Sequence, residues 1–254
     1  MTAVDDLERH YELLHDERNS LLYWYPKVKD VAPTPRSVWL EIDVDLQWLE
    51  VGVPESIVNK LKRLAARLDP SPYPLFMRTD VYSGKHDYVD TCYVGSEEDV
   101  RPNLYNLIAD SFLKDLFTRA VVLREFVELD WRFRAFSGKL PIAPEVRVMV
   151  RDGEVERWFF YWPEDAILLP DRPDWRKLLA EMRRTAERER ERFLSVAREV
   201  ATEFDDYWSV DFARTRDGRW ILIDMALGEV SWRPELTGNY TETVPDLKET
   251  LDLP

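Results

Sequence analysis

A chain of 254 residues, 45% hydrophobic and 33% charged, can bury a sizeable core and has the composition of a soluble globular protein. Its net charge of −14 argues against general nucleic-acid binding, although 35 Lys and Arg residues leave room for a local basic pocket. The single Cys92 excludes an internal disulfide and a cysteine-based zinc site, and no apolar run approaches the length of a membrane span. Three histidines allow a Ser-His-Asp enzyme by count, but no motif supports one. The acidic start, MTAVDDLERHYELL, has no signal-peptide core and predicts a cytoplasmic protein.

Residues 5–22 place Leu7, Tyr11, Leu14 and Leu21 among charges, which predicts an amphipathic helix. The aromatic run Tyr23-Trp24-Tyr25 is expected to end at Pro26, and Pro33-Thr34-Pro35-Arg36 reads as extended or turn. Val38-Trp39-Leu40 should open a strand. Residues 54–69 predict a helix, with Pro54 near its start and Ile57, Leu61, Leu64 and Leu68 on one face. Pro70, Pro72 and Pro74 stop it.

Leu75 to Asp80 reads as a buried strand ending in charge, followed by the loop Tyr82-Ser83-Gly84-Lys85-His86-Asp87. Arg78, Gly84 and Lys85 could hold phosphate, because Gly permits close backbone approach and the cations supply charge. Ordinary surface cations on a solvated turn fit the same segment, and the P-loop spacing is absent. Residues 103–119 predict a helix with Leu104, Leu107, Ile108, Phe112, Leu116 and Phe117 in the core. Val121 to Val127 is a second buried strand, leading into a loop with Trp131, Arg132, Phe133 and Arg134.

In residues 145–151, Val146, Val148 and Val150 share one face and Glu145, Arg147, Met149 and Arg151 the other. Asp152-Gly153 turns this strand into an aromatic one over 154–162. After a proline-rich loop, residues 175–204 form the longest predicted helix, whose central charge run is a solvated face. Its inward residues are Leu178, Leu179, Met182, Phe193, Val196, Val200 and Phe204. A hairpin follows: Trp208 to Ala213, a turn at Asp217-Gly218, then Trp220 to Asp224. Each strand carries one aspartate, Asp211 and Asp224, flanked by apolar residues. Either alternation puts both on a wet face, or they converge on a cation. The tail is acidic and partly irregular.

The order of these segments resembles the ATP-grasp superfamily over roughly residues 20–235. It is most similar to bacterial and phage ligase-like members and to the branch containing the assembly chaperone of translation initiation factor 2. The resemblance implies an α+β fold in which two antiparallel sheet-and-helix subdomains grip nucleotide. It divides the chain into a small N-terminal part, residues 1–70, and a nucleotide-binding region, residues 71–254. It implies phosphate contacts from Arg78, Lys85 and Arg147, with Arg147 and Lys85 in the catalytic set. The hinge Leu123-Arg124-Glu125-Phe126, running on to Val127, would hold adenine through backbone groups. Asp211 and Asp224 would bind magnesium.

One position departs from the pattern. The usual second-strand D-x-N ends here in Ala226, which cannot coordinate a metal. Glu229, the nearest acid, is the expected replacement, and Gly228-Glu229-Val230-Ser231 keeps the GxxS continuation of the bacterial and phage members. The implied ligands are ATP and Mg2+. The implied activity is ligation of a carboxylate to an amine (or a thiol) through an acyl phosphate, on unknown substrates that include peptides or proteins, with no membrane partner. A nucleotide-binding assembly factor and an inactive ATP-grasp domain are the alternatives.

Overall fold

The structure, a computed structural model, describes residues 3–44, 47–68 and 73–234. The first part of the chain forms α1 (Ala3–Leu14), α2 (Leu21–Val28), β1 (Ser37–Glu41), α3 (Trp48–Val51), α4 (Glu55–Ala65), β2 (Leu75–Thr79), β3 (Tyr93–Val94), α5 (Val100–Leu113) and β4 (Ala120–Glu125). The second part forms β5 (Phe133–Ala135), β6 (Leu140–Ile142), β7 (Glu145–Arg151), β8 (Glu154–Phe160), α6 (Trp175–Ala201), β9 (Tyr207–Arg214) and β10 (Trp220–Leu227). Two antiparallel sheets result, in the orders β1-β4-β2-β3 and β10-β9-β7-β8, with β5 and β6 as a separate hairpin. The fold is α+β and has the two-sheet ATP-grasp architecture.

Each sheet packs one face on helices. Leu75 and Met77 of β2 and Val121 and Leu123 of β4 meet Leu61 of α4 and Leu104 and Leu107 of α5. This core draws on residues both before and after position 70. The second sheet turns Val146, Val148, Val150, Val210, Phe212 and Leu222 towards Phe193, Ala197 and Val200 of α6. Leu21, Trp24 and Val28 of α2 belong to the same cluster. Burying one such side chain fully is worth about 1.5–3 kcal/mol, so the two apolar faces hold the fold.

Several expectations change. Residues 5–22 do not form one helix, because Asp16 accepts from the Arg18 N–H at 2.9 Å and breaks the run. Tyr23-Trp24-Tyr25 is helical, and the helix runs past Pro26 to Val28. Ser20 caps it by accepting from the Leu22 N–H at 3.2 Å, and burial of Trp24 and Val28 outweighs the bond lost at proline. Phe112 and Phe117 are exposed, because α5 ends at Leu113. Asp217-Gly218 lies in a longer loop, closed by the Thr215 N–H donating to the Arg219 carbonyl at 2.8 Å. The Asp152-Gly153 turn has φ of +48° and +84° at its two residues, as a two-residue hairpin requires. The loop around Phe133 pairs as a strand with 140–142. Pro70 and Pro72, and the acidic tail beyond residue 234, lie outside the described residues.

Asp80, fully buried, fastens the parts together. It accepts from the Ser20 hydroxyl at 2.9 Å and from the Arg119 and Ala120 N–H groups at 3.0 and 3.1 Å. Multiple donors are what a buried carboxylate requires. Pro33 seals the edge strand β10 by accepting from the Leu222 N–H at 2.8 Å.

Candidate functional site

The second face of each sheet looks into a shared cleft of about 460 Å³. On β7 the residues alternating with the valines are Glu145 and Arg147, buried to 6% and 8% exposure. They are buried because the first sheet roofs them, so β7 has no wet face. Arg147 stands opposite Asp211 in the ladder and donates from Nε and Nη2 to both its carboxylate oxygens, each at 2.7 Å. This paired fork is the strong arrangement for arginine and carboxylate. Nη1 of Arg147 donates to the Trp232 carbonyl at 2.9 Å.

Asp224 reaches the same face through a register shift. Leu222 pairs with Phe212, but Asp224 pairs with Asp211, leaving Ile223 as an extra residue. Strict alternation after buried Leu222 and cleft-facing Ile223 would aim Asp224 into the apolar core. The bulge returns it to the cleft, and Met225 goes to the core. Arg78, on β2 of the opposing sheet and 3% exposed, meets Asp224 at 2.8 Å. The Ser83-Gly84-Lys85 loop sends Lys85 across to Glu145 at 2.9 Å, with its ammonium 4.1 Å from the Tyr161 ring centre and 4.9 Å from that of Trp162. Gly84 takes φ +63°, and a Cβ there would meet Leu107 at 3.0 Å and Thr91 at 3.1 Å, so the loop needs glycine.

Among the described residues, three cation–carboxylate pairs therefore meet in the cleft: Arg78 with Asp224, Lys85 with Glu145, and Arg147 with Asp211. Burial drives the Glu145 carboxyl up against the pull of Lys85. Burial acts to lower the Lys85 ammonium, but Glu145 outweighs it and the net direction is up. Asp211 likewise overcomes burial at Arg147, whose net direction is also up. The cations stay charged. Among the described residues, five cations (Arg78, Lys85, Arg124, Arg134, Arg147) line the cleft with five carboxylates (Glu125, Glu128, Glu145, Asp211, Asp224), so it is balanced although the chain carries −14.

The remaining candidates divide. Leu123 is buried in the first core, its main chain held between β1 and β2. Glu125 binds Arg36 at 2.7 Å, and its N–H donates to the Arg36 carbonyl at 2.9 Å. Phe126 and Val127 line the cleft, and their main-chain groups make no hydrogen bond among the described residues. Arg124 lines the cleft but donates into the protein, to the Ile223 carbonyl at 2.6 Å. Glu229 is separated from the aspartates: it is exposed in the turn after β10 and does not line the cleft. Gly228 cannot fold it back freely, since a Cβ there would lie 2.3 Å from the Tyr207 ring. Ala226 does face the cleft side, opposite Ser209. Among the described residues, no three His, Cys, Asp or Glu side chains group as a metal cage.

Sequence reasoning missed the role of Glu145. Its place two residues before Arg147, on one strand face, was the available signal. It also missed the aromatic wall, in which Tyr93 lies 5.5 Å from Tyr88 and 5.4 Å from Phe126, ring centre to centre. Those contacts join β3, the loop before it and the end of β4, and no local pattern announces them.

Among solved structures the chain is similar to C-terminally truncated Cdc123 from Schizosaccharomyces pombe, at TM-score 0.56 and 14% identity, over 86% of this chain and 85% of that one. Cdc123 from the same organism aligns at TM-score 0.54 and 14% identity, over 87% and 90%. Carboxyaminoimidazole ribonucleotide synthase from Aspergillus clavatus, complexed with ATP, aligns at TM-score 0.45 and 14% identity, over 82% of this chain and 44% of that one. No curated protein matches the chain. A family described as an ATP-grasp domain, the third family of its clade, matches residues 64–246, most of the two-sheet unit and all of the cleft strands β2, β4, β7, β9 and β10. The chain belongs to that ATP-grasp family.

Proposed function

We propose that the protein binds MgATP in this cleft and uses it to join a carboxylate to an amine. The observation that carries the reading is the set of three ion pairs where the two sheets meet. A triphosphate needs cations, and its magnesium needs carboxylates. This cleft presents both, interleaved. Arg78, Lys85 and Arg147 are the phosphate ligands in this reading. The half-buried main chain of Phe126 and Val127, with no partner of its own among the described residues, supplies donor and acceptor to adenine at the cleft edge. Tyr93 and Phe126 flank the base.

Asp211 and Asp224 fit magnesium as direct cross-strand neighbours, since this ion takes one or two carboxylates and completes its shell with phosphate and water. When bound, it would offset charge on the phosphates. Glu229 is left out of this set because of its position.

In the reaction, a substrate carboxylate oxygen attacks the γ-phosphorus and ADP leaves. An amine then attacks the acyl carbon, the C–N bond forms and inorganic phosphate leaves. Positioning and charge stabilisation suffice, and no protein nucleophile is needed. A nucleotide-binding assembly factor is the second reading. Ala226 favours it, because it faces the cleft side beside Asp224 without an oxygen to offer.

Thermal melts test the binding: MgATP at a hundred times its dissociation constant should stabilise the fold by about 2.7 kcal/mol. Coincident melts at millimolar MgATP would end the proposal. ADP release with pools of amino acids, peptides and polyamines separates the two readings. Release that depends on a carboxylate and an amine supports ligation, and binding without such release supports the assembly factor.

A further inference from the structure

Arg124 sits on β4, at 3% exposure, and forms no ion pair among the described residues. Its guanidinium donates only to neutral oxygens: the Ile223 carbonyl at 2.6 Å, the Ser37 hydroxyl at 3.1 Å and the Thr34 hydroxyl at 3.2 Å. Burial, and then the neighbouring Arg78 cation, pull it down to about 10. A buried arginine without a carboxylate partner is costly, so its position calls for a reason.

The reason lies in its strongest contact. Ile223 is the extra residue of the β10 bulge. A bulge residue drops out of the ladder and leaves main-chain groups unpaired. Arg124 reaches from the first sheet across to the second and takes that carbonyl. The next residue is Asp224, which faces the cleft only because the bulge exists. Thr34 and Ser37 aim the guanidinium, and Pro33, one residue before Thr34, holds the Leu222 N–H on the other side of the bulge.

We propose that Arg124 is a positioning residue: by pinning the Ile223 carbonyl it fixes the bulge and so holds Asp224 beside Asp211 for the metal–nucleotide. This rests on the reading that the cleft takes MgATP. Arg124 need not touch the nucleotide to matter for it.

The test is ATP binding by the full chain, by calorimetry, at saturating and at low magnesium. The variants are Arg124→Gln, Asp224→Asn and the two together. Arg124→Gln should weaken magnesium-supported ATP affinity about tenfold or more, as loss of a ligand-orienting partner does elsewhere. If Arg124 acts through Asp224, the double variant should bind no worse than Asp224→Asn alone. Wild-type affinity in a folded Arg124→Gln protein, or losses that multiply in the double variant, would overturn the proposal. Should Arg124→Gln fail to fold, Thr34→Val with Ser37→Ala removes the two struts and leaves the charge in place. That pair should lower the same affinity less, and no change would again overturn it. Absence of magnesium-dependent ATP binding in the wild type would instead remove the reading of the site, which separates the two failures.

Discussion

The two faces of the sheet β10-β9-β7-β8 are made by alternate residues of the same strands, yet they do opposite work. One face sets Val146, Val148, Val210 and Phe212 against α6. The other sets Glu145, Arg147 and Asp211 under the first sheet, where they are just as hidden from water. The apolar face gains free energy from burial itself. The charged face loses hydration and recovers it only through its pairs, which leaves it near break-even. A face near break-even can exchange internal partners for a ligand's charges at little cost, and a packed apolar face cannot. In this reading phosphate replaces carboxylate on the cations, and magnesium replaces arginine on the aspartates.

The comparison breaks hardest on the apolar side. Phe212→Ala, at a fully buried position, should cost about 3–5 kcal/mol in denaturant unfolding. Its ATP affinity, measured where the variant remains folded, should be close to wild type. Loss of affinity without loss of stability would mean that the two faces are not separable in this way.

On the charged side, a single change and a paired change should part company. Arg147→Met alone leaves Asp211 buried and unpaired and should cost about 3–5 kcal/mol. Arg147→Met with Asp211→Leu should restore stability to within about 1–2 kcal/mol of wild type, or exceed it, while ATP binding is abolished. Equal losses from the single and double variants in urea unfolding would contradict the break-even account.

A weaker effect joins α6 to the sheet. Glu189 accepts from Arg214 Nε at 2.9 Å and from Trp220 Nε1 at 3.0 Å. Burial acts to raise its carboxyl, but these donors outweigh it and the net direction is down. A depressed carboxyl stabilises the fold above its unfolded value near 4.5 and loses that contribution as pH falls through the lower folded value. Melts at pH 7 and pH 3 should show Glu189→Gln losing less stability on acidification than wild type, by about 1.5–3 kcal/mol at most. Parallel losses would assign the acid sensitivity elsewhere.

The smallest effect concerns the turn after β10. Glu229→Gln should leave magnesium-supported ATP affinity unchanged, because the side chain is exposed outside the cleft. Ala226→Asn places an oxygen on the cleft side, two residues from Asp224, and should raise that affinity. A drop with Glu229→Gln would bring Glu229 back into the metal shell.

Much of this was legible in the chain alone. The strands around Arg78, Arg124 and Arg147, the Asp152-Gly153 turn, the helix over 175–201 and the ordered likeness to ATP-grasp proteins rest on periodicity, turn chemistry and motif order, which are local. The gathering of Arg78, Lys85, Arg147, Asp211 and Asp224 could be expected from that order, but their pairing could not. Alternation assigns Asp224 no reliable face, because one extra residue at Ile223 reverses it. A carboxylate beside Leu222 in the α6 core would go unpaired, so the strand shifts by a residue and the aspartate meets Arg78. The same applies to Arg124, read from its motif as part of the hinge and directed by the fold to the bulge, and to Glu229, close to Asp224 along the chain and turned out to solvent. Strand register and the partners of buried charges depend on atoms distant in sequence, and only the tertiary structure brings those atoms within hydrogen-bonding distance.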